Sequence, residues 1–239
     1  MPSGYIDIKS SDGEGEFKAY FTSRPYLSDL PRPPGIVIIQ EIFGVSPFLK
    51  EMANRYAAHG FAVVVPDLFW RQGASLTELP DQSETATNKA FELYQKFDVE
   101  KGVDDIAASL RWLRENENTS GKTAVVGYCL GGLLAFLSGC QLDIDAAIGY
   151  YGVGIEKSLQ HKNMIRKPMM LHFAENDAFV PAETRKELEE SFSDSDLVSI
   201  HNYKGCDHGF ARTGGGNYDK AAAEISDTRT LALLKKSLT

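Results

Sequence analysis

The 239-residue chain has no excess of positive charge: 25 lysines and arginines stand against 33 aspartates and glutamates, a net charge of −8. A field of that sign argues against nucleic acid or an anionic membrane surface as the main partner. Cysteine is scarce and odd in number, three residues, which suits a reducing cytosol better than a disulfide framework. The opening M-P-S-G-Y has neither a basic n-region nor an apolar h-region, so a cytoplasmic protein without a signal peptide is expected. There is no C-x-x-C or H-E-x-x-H spacing and no glycine-rich phosphate loop of Rossmann or P-loop type. Neither a metal nor an organic cofactor is therefore expected. Repeats, low-complexity runs and heptad arrays are also missing. Residues 124–140 carry no charge and just reach the lower bound for a membrane span. Their glycines, and a switch from strand-like to helix-like composition, point instead to a buried strand followed by a buried helix.

What is present is an alternation of strand and helix signals. Short antiparallel strands are expected at 5–8 and 16–21, parted by the turn S-D-G-E-G. A linker with Pro31, Pro33 and Pro34 leads to I-V-I-I (36–39), a continuous apolar run suited to a central parallel strand. Ser46 is placed to cap a helix that has Pro47 at its first position and ends near His59, before Gly60. The run F-A-V-V-V (61–65) is the next buried strand, and a loop runs from Pro66 to about residue 83. Helices are expected at 84–97 and 99–115. In the second, Val99, Val103, Ile106, Leu110 and Leu113 form one apolar face. Further strands are expected in the apolar run that ends in G-Y-C-L-G-G (127–132), and at 146–151, 168–174 and 197–203, with helices at 181–191 and 217–236. This pattern implies an α/β chain: a doubly wound, mostly parallel sheet with helices on both faces, as one domain over 1–239.

The stretch K-T-A-V-V-G-Y-C-L-G-G (122–132) organises the rest. An apolar β-branched run ends in G-Y-C-L-G-G and passes directly into L-L-A-F-L, the layout of a nucleophile elbow. Gly127 and Gly131 fit because the turn brings strand and helix backbones too close for a Cβ. Cys129 stands where a serine is usual, and a thiol at a helix N-terminus is an apt nucleophile. The plainer alternative is a buried structural cysteine. Cys140 is about 16 Å further along a continuous helix, too far to form a bridge.

Ligands of doubly wound sheets gather at the C-terminal ends of the strands. Cys129, Asp177 and His208 each follow an expected strand, in the order nucleophile, acid, histidine used by the α/β-hydrolase fold. His208 would share the thiol proton and later protonate the leaving oxygen, while Asp177 fixes its tautomer. His172 and His201 lie inside strands, where satisfied structural histidines are expected. His59 sits at a helix end and His161 in a basic surface stretch. Asp67 comes before the nucleophile, behind Pro66, and is expected to be structural.

Six motifs then occur in one order: Q-E-I-F-G (40–44), P-D-L-F-W-R (66–71), G-Y-C-L-G-G (127–132), Y-Y-G-V-G (150–154), E-N-D-A-F-V-P (175–181) and D-H-G-F-A-R (207–212). On them the chain resembles the dienelactone hydrolases, or carboxymethylenebutenolidases, over about residues 35–235. The resemblance implies a Cys129–His208–Asp177 triad that opens an enol-lactone of the dienelactone type to maleylacetate. It also implies an oxyanion hole from the N–H groups of Ile42 and Leu130. Glu41 matches the family's glutamate beside the thiol, and Arg212 an arginine that grips a substrate carboxylate. Phe91, Tyr94 and Tyr151 are further expected substrate contacts. One departure is Thr87, at the position of a second carboxylate-binding arginine, for which Lys89 or Arg71 is the candidate replacement. The expected partner is a small lactone or ester bearing a carboxylate, and the expected state a monomer. The rivals are a carboxylesterase for neutral esters, or a non-catalytic binding or thiol redox protein in which Cys206 approaches Cys129.

Overall fold

A computed structural model describes residues 3–25, 29–73, 77–79 and 83–238. Contacts divide the chain into two compact units, Met1–Ala124 and Val125–Thr239. Among the described residues, no helix is long and apolar enough to cross a membrane.

In the first unit the strands β1 (Ser3–Lys9), β2 (Glu16–Ser23), β3 (Gly35–Ile39) and β4 (Ala62–Pro66) lie in the order β1-β2-β4-β3. The pairs β1–β2 and β2–β4 are antiparallel, and β3–β4 is parallel. Every residue of β3 and β4 is buried, which is why these strands read as unbroken apolar runs rather than alternating ones. Helices α1 (Pro47–Ala58), α2 (Glu84–Gln95) and α3 (Val99–Glu115) lie in the expected segments. Val103, Ile106, Leu110 and Leu113 form the buried face of α3, while Val99, in its exposed first turn, is half-buried. Ser83 and Asp98 cap α2 and α3 by accepting from the Ala86 and Lys101 amides. Ser46 holds the N-cap position of α1 with Pro47 next, but its side chain makes no capping bond. The loop after β4 begins with a short 3-10 turn, Trp70–Gln72. Buried Asp67 organises this loop by accepting from the amides of Phe69 (3.0 Å) and Thr77 (2.7 Å). Burial pushes its carboxyl up to about 6, against the pull of those two amides.

One ion cluster ties the β1–β2 turn to this loop and to α3. Arg71 donates through Nε and Nη2 to both oxygens of buried Asp105, at 3.1 and 2.7 Å. The Trp70 indole adds a bond to Asp105 at 2.8 Å. Arg71 also pairs with Asp12 and Glu14, as does Lys101. The expectation that Arg71 replaces a substrate-binding arginine is corrected here, because its guanidinium is spent on three carboxylates. Lys89 pairs with Glu92 on the exposed side of α2.

β5 (Thr123–Tyr128), which lies in the second unit from Val125 on, and β6 (Ala146–Tyr150), β7 (Met169–Ala174) and β8 (Val198–Tyr203) follow one another in sheet order. The β6–β7 and β7–β8 pairs are parallel. Helices α4 (Leu130–Gln141), α5 (Ala182–Phe192) and α6 (Lys220–Leu238) match the expected segments. A 3-10 stretch, Ile155–Met164, was not foreseen, since its burial rests on Ile155 alone and leaves no apolar periodicity. All three cysteines are free.

Asp105→Ala would leave the Arg71 charge half-buried with only its exposed partners. A loss of about 3 kcal/mol in unfolding free energy is expected, measured by urea denaturation. A loss below about 1 kcal/mol would show that the cluster behaves like an exposed ion pair.

Candidate active site

The elbow is built by close approach of backbones. A Cβ placed on Gly127 would lie 1.8 Å from the Gly131 carbonyl oxygen, so no other residue fits where β5 enters α4. A Cβ on Gly132 would lie 2.6 Å from the Tyr150 carbonyl oxygen and from Gly152 Cα, so α4 rests directly on the end of β6. Between these glycines Cys129 is forced to φ 56°, ψ −113°, a region that side chains other than glycine rarely occupy. Strain of this kind costs about 1–3 kcal/mol and persists only where the surroundings over-determine it. Here the Cys129 amide donates to the Tyr150 carbonyl at 3.0 Å, and the Cys129 carbonyl accepts from Gly132 at 2.9 Å. Cys129 is the N-cap of α4 and is half-exposed. Leu130 is the first helical residue, so its N–H belongs to the turn whose amides have no partner within the helix.

Asp177 follows β7 and is buried. Its Oδ1 accepts from the amides of Phe179 (2.8 Å) and Val180 (3.2 Å), which aims Oδ2 at His208 Nδ1, 2.8 Å away. With Nδ1 committed to Asp177, Nε2 is the nitrogen left for the Cys129 thiol, whose proximity adds to the rise in the His208 pKa. The Tyr151 and Phe179 rings stand edge-on to the imidazole, both with centroids at 4.9 Å. Asn217 donates to the His208 carbonyl at 2.9 Å and steadies the loop after β8. The structure thus brings the expected nucleophile, acid and histidine together.

Other expected residues are placed as follows. Glu41 is buried directly after β3, beside Gln40, whose Oε1 accepts from the Leu68 amide at 2.9 Å. Ile42 lies in the turn that follows and is half-buried. Arg212 is buried in the loop after His208, with its amide bonded to the Gly209 carbonyl. Tyr151 is fully buried at φ 38°. Phe91 and Tyr94 lie on α2 and are 41% and 39% exposed. His172 is fully buried and bonded at both nitrogens, to Tyr203 and Thr230. His201 stacks on it at 5.6 Å. Phe179 was missed, although it stands two residues after the acid. Nothing in an exposed aromatic (57%) marks it from sequence as the neighbour of a histidine 29 positions on.

Burial opposes the imidazolium of His208, but the Asp177 carboxylate and then the Cys129 sulfur outweigh it and raise its pKa to about 10. The folded-state value lies above the ordinary 6.5, so the pairing stabilises the fold fully below pH 6.5. That contribution is lost as pH rises through about 10. The stability difference between wild type and His208→Gln should therefore be largest below pH 6.5 and shrink towards pH 10. Urea unfolding across this range reads it directly, and a difference independent of pH would remove the charged pair.

A family model described as the dienelactone hydrolase family matches residues 19–238. The chain is 42% identical over 201 residues to a carboxymethylenebutenolidase of Pseudomonas putida, covering 84% of this chain and 85% of that one. To carboxymethylenebutenolidase 1 of Cupriavidus pinatubonensis it is 39% identical over 234 residues, 98% of this chain and 97% of the relative. A solved structure of a dienelactone hydrolase-like promiscuous phosphotriesterase from metagenomic libraries aligns over 100% of both chains. Its TM-score is 0.80 at 20% identity, a likeness of fold. Elbow, strand order and sequence agree in their direction: this α/β-hydrolase-fold chain belongs to the dienelactone hydrolase family.

Proposed function

We propose that the protein is a thiol hydrolase that opens a lactone or ester bearing a carboxylate, of the dienelactone type. The observation that carries this reading is the strained Cys129 at the N-terminus of α4, near a histidine that Asp177 orients. Cys129 Sγ attacks the substrate carbonyl while the thiol proton is held by His208. The Leu130 N–H receives the oxyanion that develops, and the family resemblance adds the Ile42 N–H as a second donor. Collapse of the tetrahedral intermediate breaks the carbonyl–oxygen bond, and His208 Nε2–H protonates the leaving oxygen. His208 then takes a proton from water, hydroxide attacks the thioester, and the carboxylic product leaves with the thiol restored. In an enol-lactone the leaving oxygen departs as an enol and tautomerises to a ketone, so ring opening is in effect irreversible. By the same resemblance Glu41 is a second acceptor for the thiol proton, and Phe91, Tyr94 and Tyr151 contact the substrate. The substrate is a small molecule met in the cytoplasm.

Cys129→Ala should reduce turnover to background with the fold intact, and Cys129→Ser should retain little, since a hydroxyl is the poorer nucleophile. Normal turnover by the alanine variant would end the triad assignment.

Arg212 supplies a planar fork that matches a carboxylate and that lysine does not reproduce. Arg212→Ala should lose about 2–4 kcal/mol in kcat/KM on carboxylated lactones, and far less on neutral esters. Thr87, in place of a second arginine, favours the alternative of a carboxylesterase for neutral esters. Equal losses on both substrate classes, in a parallel kinetic panel, would decide for that alternative.

A further inference from the structure

A buried polar chain behind the catalytic residues takes no part in the chemistry above. Thr230, in the middle of α6, is fully buried, with Oγ1 2.7 Å from Tyr150 Oη and 3.1 Å from His172 Nε2. His172 Nδ1 lies 2.8 Å from Tyr203 Oη, which accepts from Arg229 at 3.1 Å. Four elements, β6, β7, β8 and α6, each contribute to this chain.

From Arg229 to Thr230 the chain has one consistent direction. Arg229 can only donate, so it occupies the Tyr203 oxygen and leaves the Tyr203 O–H for His172 Nδ1. His172 is neutral, held well below its ordinary range by burial and then by His201 and Arg229. A neutral imidazole that accepts at Nδ1 carries its proton on Nε2 and donates to Thr230. Thr230 Oγ1 then shares its second bond with Tyr150 Oη, in which either hydroxyl can donate, and the Tyr150 ring is held in one place.

The anchored segment is the one that touches the reacting groups. The Tyr150 carbonyl accepts the Cys129 amide, and the His172 carbonyl accepts the Tyr151 amide at 2.7 Å. Tyr151 stands at φ 38° with its ring edge against His208. Among the described residues Cys129 and Tyr151 are the non-glycine positions with positive φ, and both hang on this pair of tyrosines. Strained positions need surroundings that over-determine them.

We propose that Thr230 and His172 are positioning residues for the Cys129–His208 pair, acting through Tyr150 and Tyr151. This rests on the triad reading given above. Both side chains lie outside the reacting groups, and their effect is on alignment. Small misplacements of a reacting pair are costly, of the order of a hundredfold for about 1 Å.

The test is steady-state hydrolysis of a carboxylated lactone, with thermal unfolding measured on the same samples. Thr230→Val keeps the volume and removes the hydroxyl; kcat should fall about tenfold with KM within about twofold. Thr230→Ser restores the hydroxyl and should return kcat to within about twofold of wild type, although it loses a methyl group. If Thr230→Val lowers the melting temperature but keeps wild-type kcat, the chain is scaffold only and the inference is overturned. Should Thr230→Val fail to fold, Tyr203→Phe removes the donor to His172 and keeps the ring. A fall in kcat then supports the inference and a wild-type kcat overturns it. Cys129→Ala separates the two layers. If it turns over substrate normally, the triad reading itself has failed. If it is inactive while the network variants are wild-type, only the positioning role has.

Discussion

The left-handed backbone of Cys129 is the constraint on which the rest of the second unit depends. It exists because Gly127 and Gly131 meet at a distance no Cβ could survive, so the chain must reverse within one residue. That reversal makes Cys129 the N-cap of α4 and aims the first amides of the helix at the space beside the sulfur. It also presses α4 onto β6 so closely that Gly132 touches the Tyr150 carbonyl. One steric fact thereby produces a half-exposed thiol, backbone donors at a helix start and a helix locked to its strand.

Electrostatics is arranged around that turn by giving similar residues opposite surroundings. His172 is fully buried and His208 half-buried. The first has only neutral or cationic neighbours and stays neutral. The second has a carboxylate at Nδ1, and that carboxylate together with the Cys129 sulfur raises its pKa to about 10. Asp177 is satisfied on both oxygens, which leaves it a single orientation. In the first unit Asp67 and Asp105 are also buried acids, but each is spent on the backbone or on a cation that holds a loop. Partner identity separates the histidine-paired carboxylate from the loop-holding ones here, since burial alone does not.

Much of this was legible from sequence because it is local. Continuous apolar runs of four or five residues name the buried strands. The spacing of Val103, Ile106, Leu110 and Leu113 names one helix face, and G-Y-C-L-G-G names the elbow. The strand-end positions of Asp177 and His208 follow from the same alternation. Ser46 shows the limit: its position at the helix start was readable, but the failure of its side chain to cap was not. The 3-10 stretch at Ile155–Met164 was missed because it carries no amphipathic period.

The sequence by itself determined the order of elements, the elbow and the strand-end positions of Cys129, Asp177 and His208, because each depends on neighbours within a few positions. Tertiary structure alone decided which way those groups face and what each one spends its hydrogen bonds on. Arg71 could have been a substrate ligand by its motif, and only folding brings Asp105, Asp12 and Glu14 around it. Phe179 reaches His208, and Thr230 reaches both Tyr150 and His172, across 29 to 80 positions of chain. Such pairings leave no periodic trace in sequence, since the sheet register that brings them together is a property of all the strands at once.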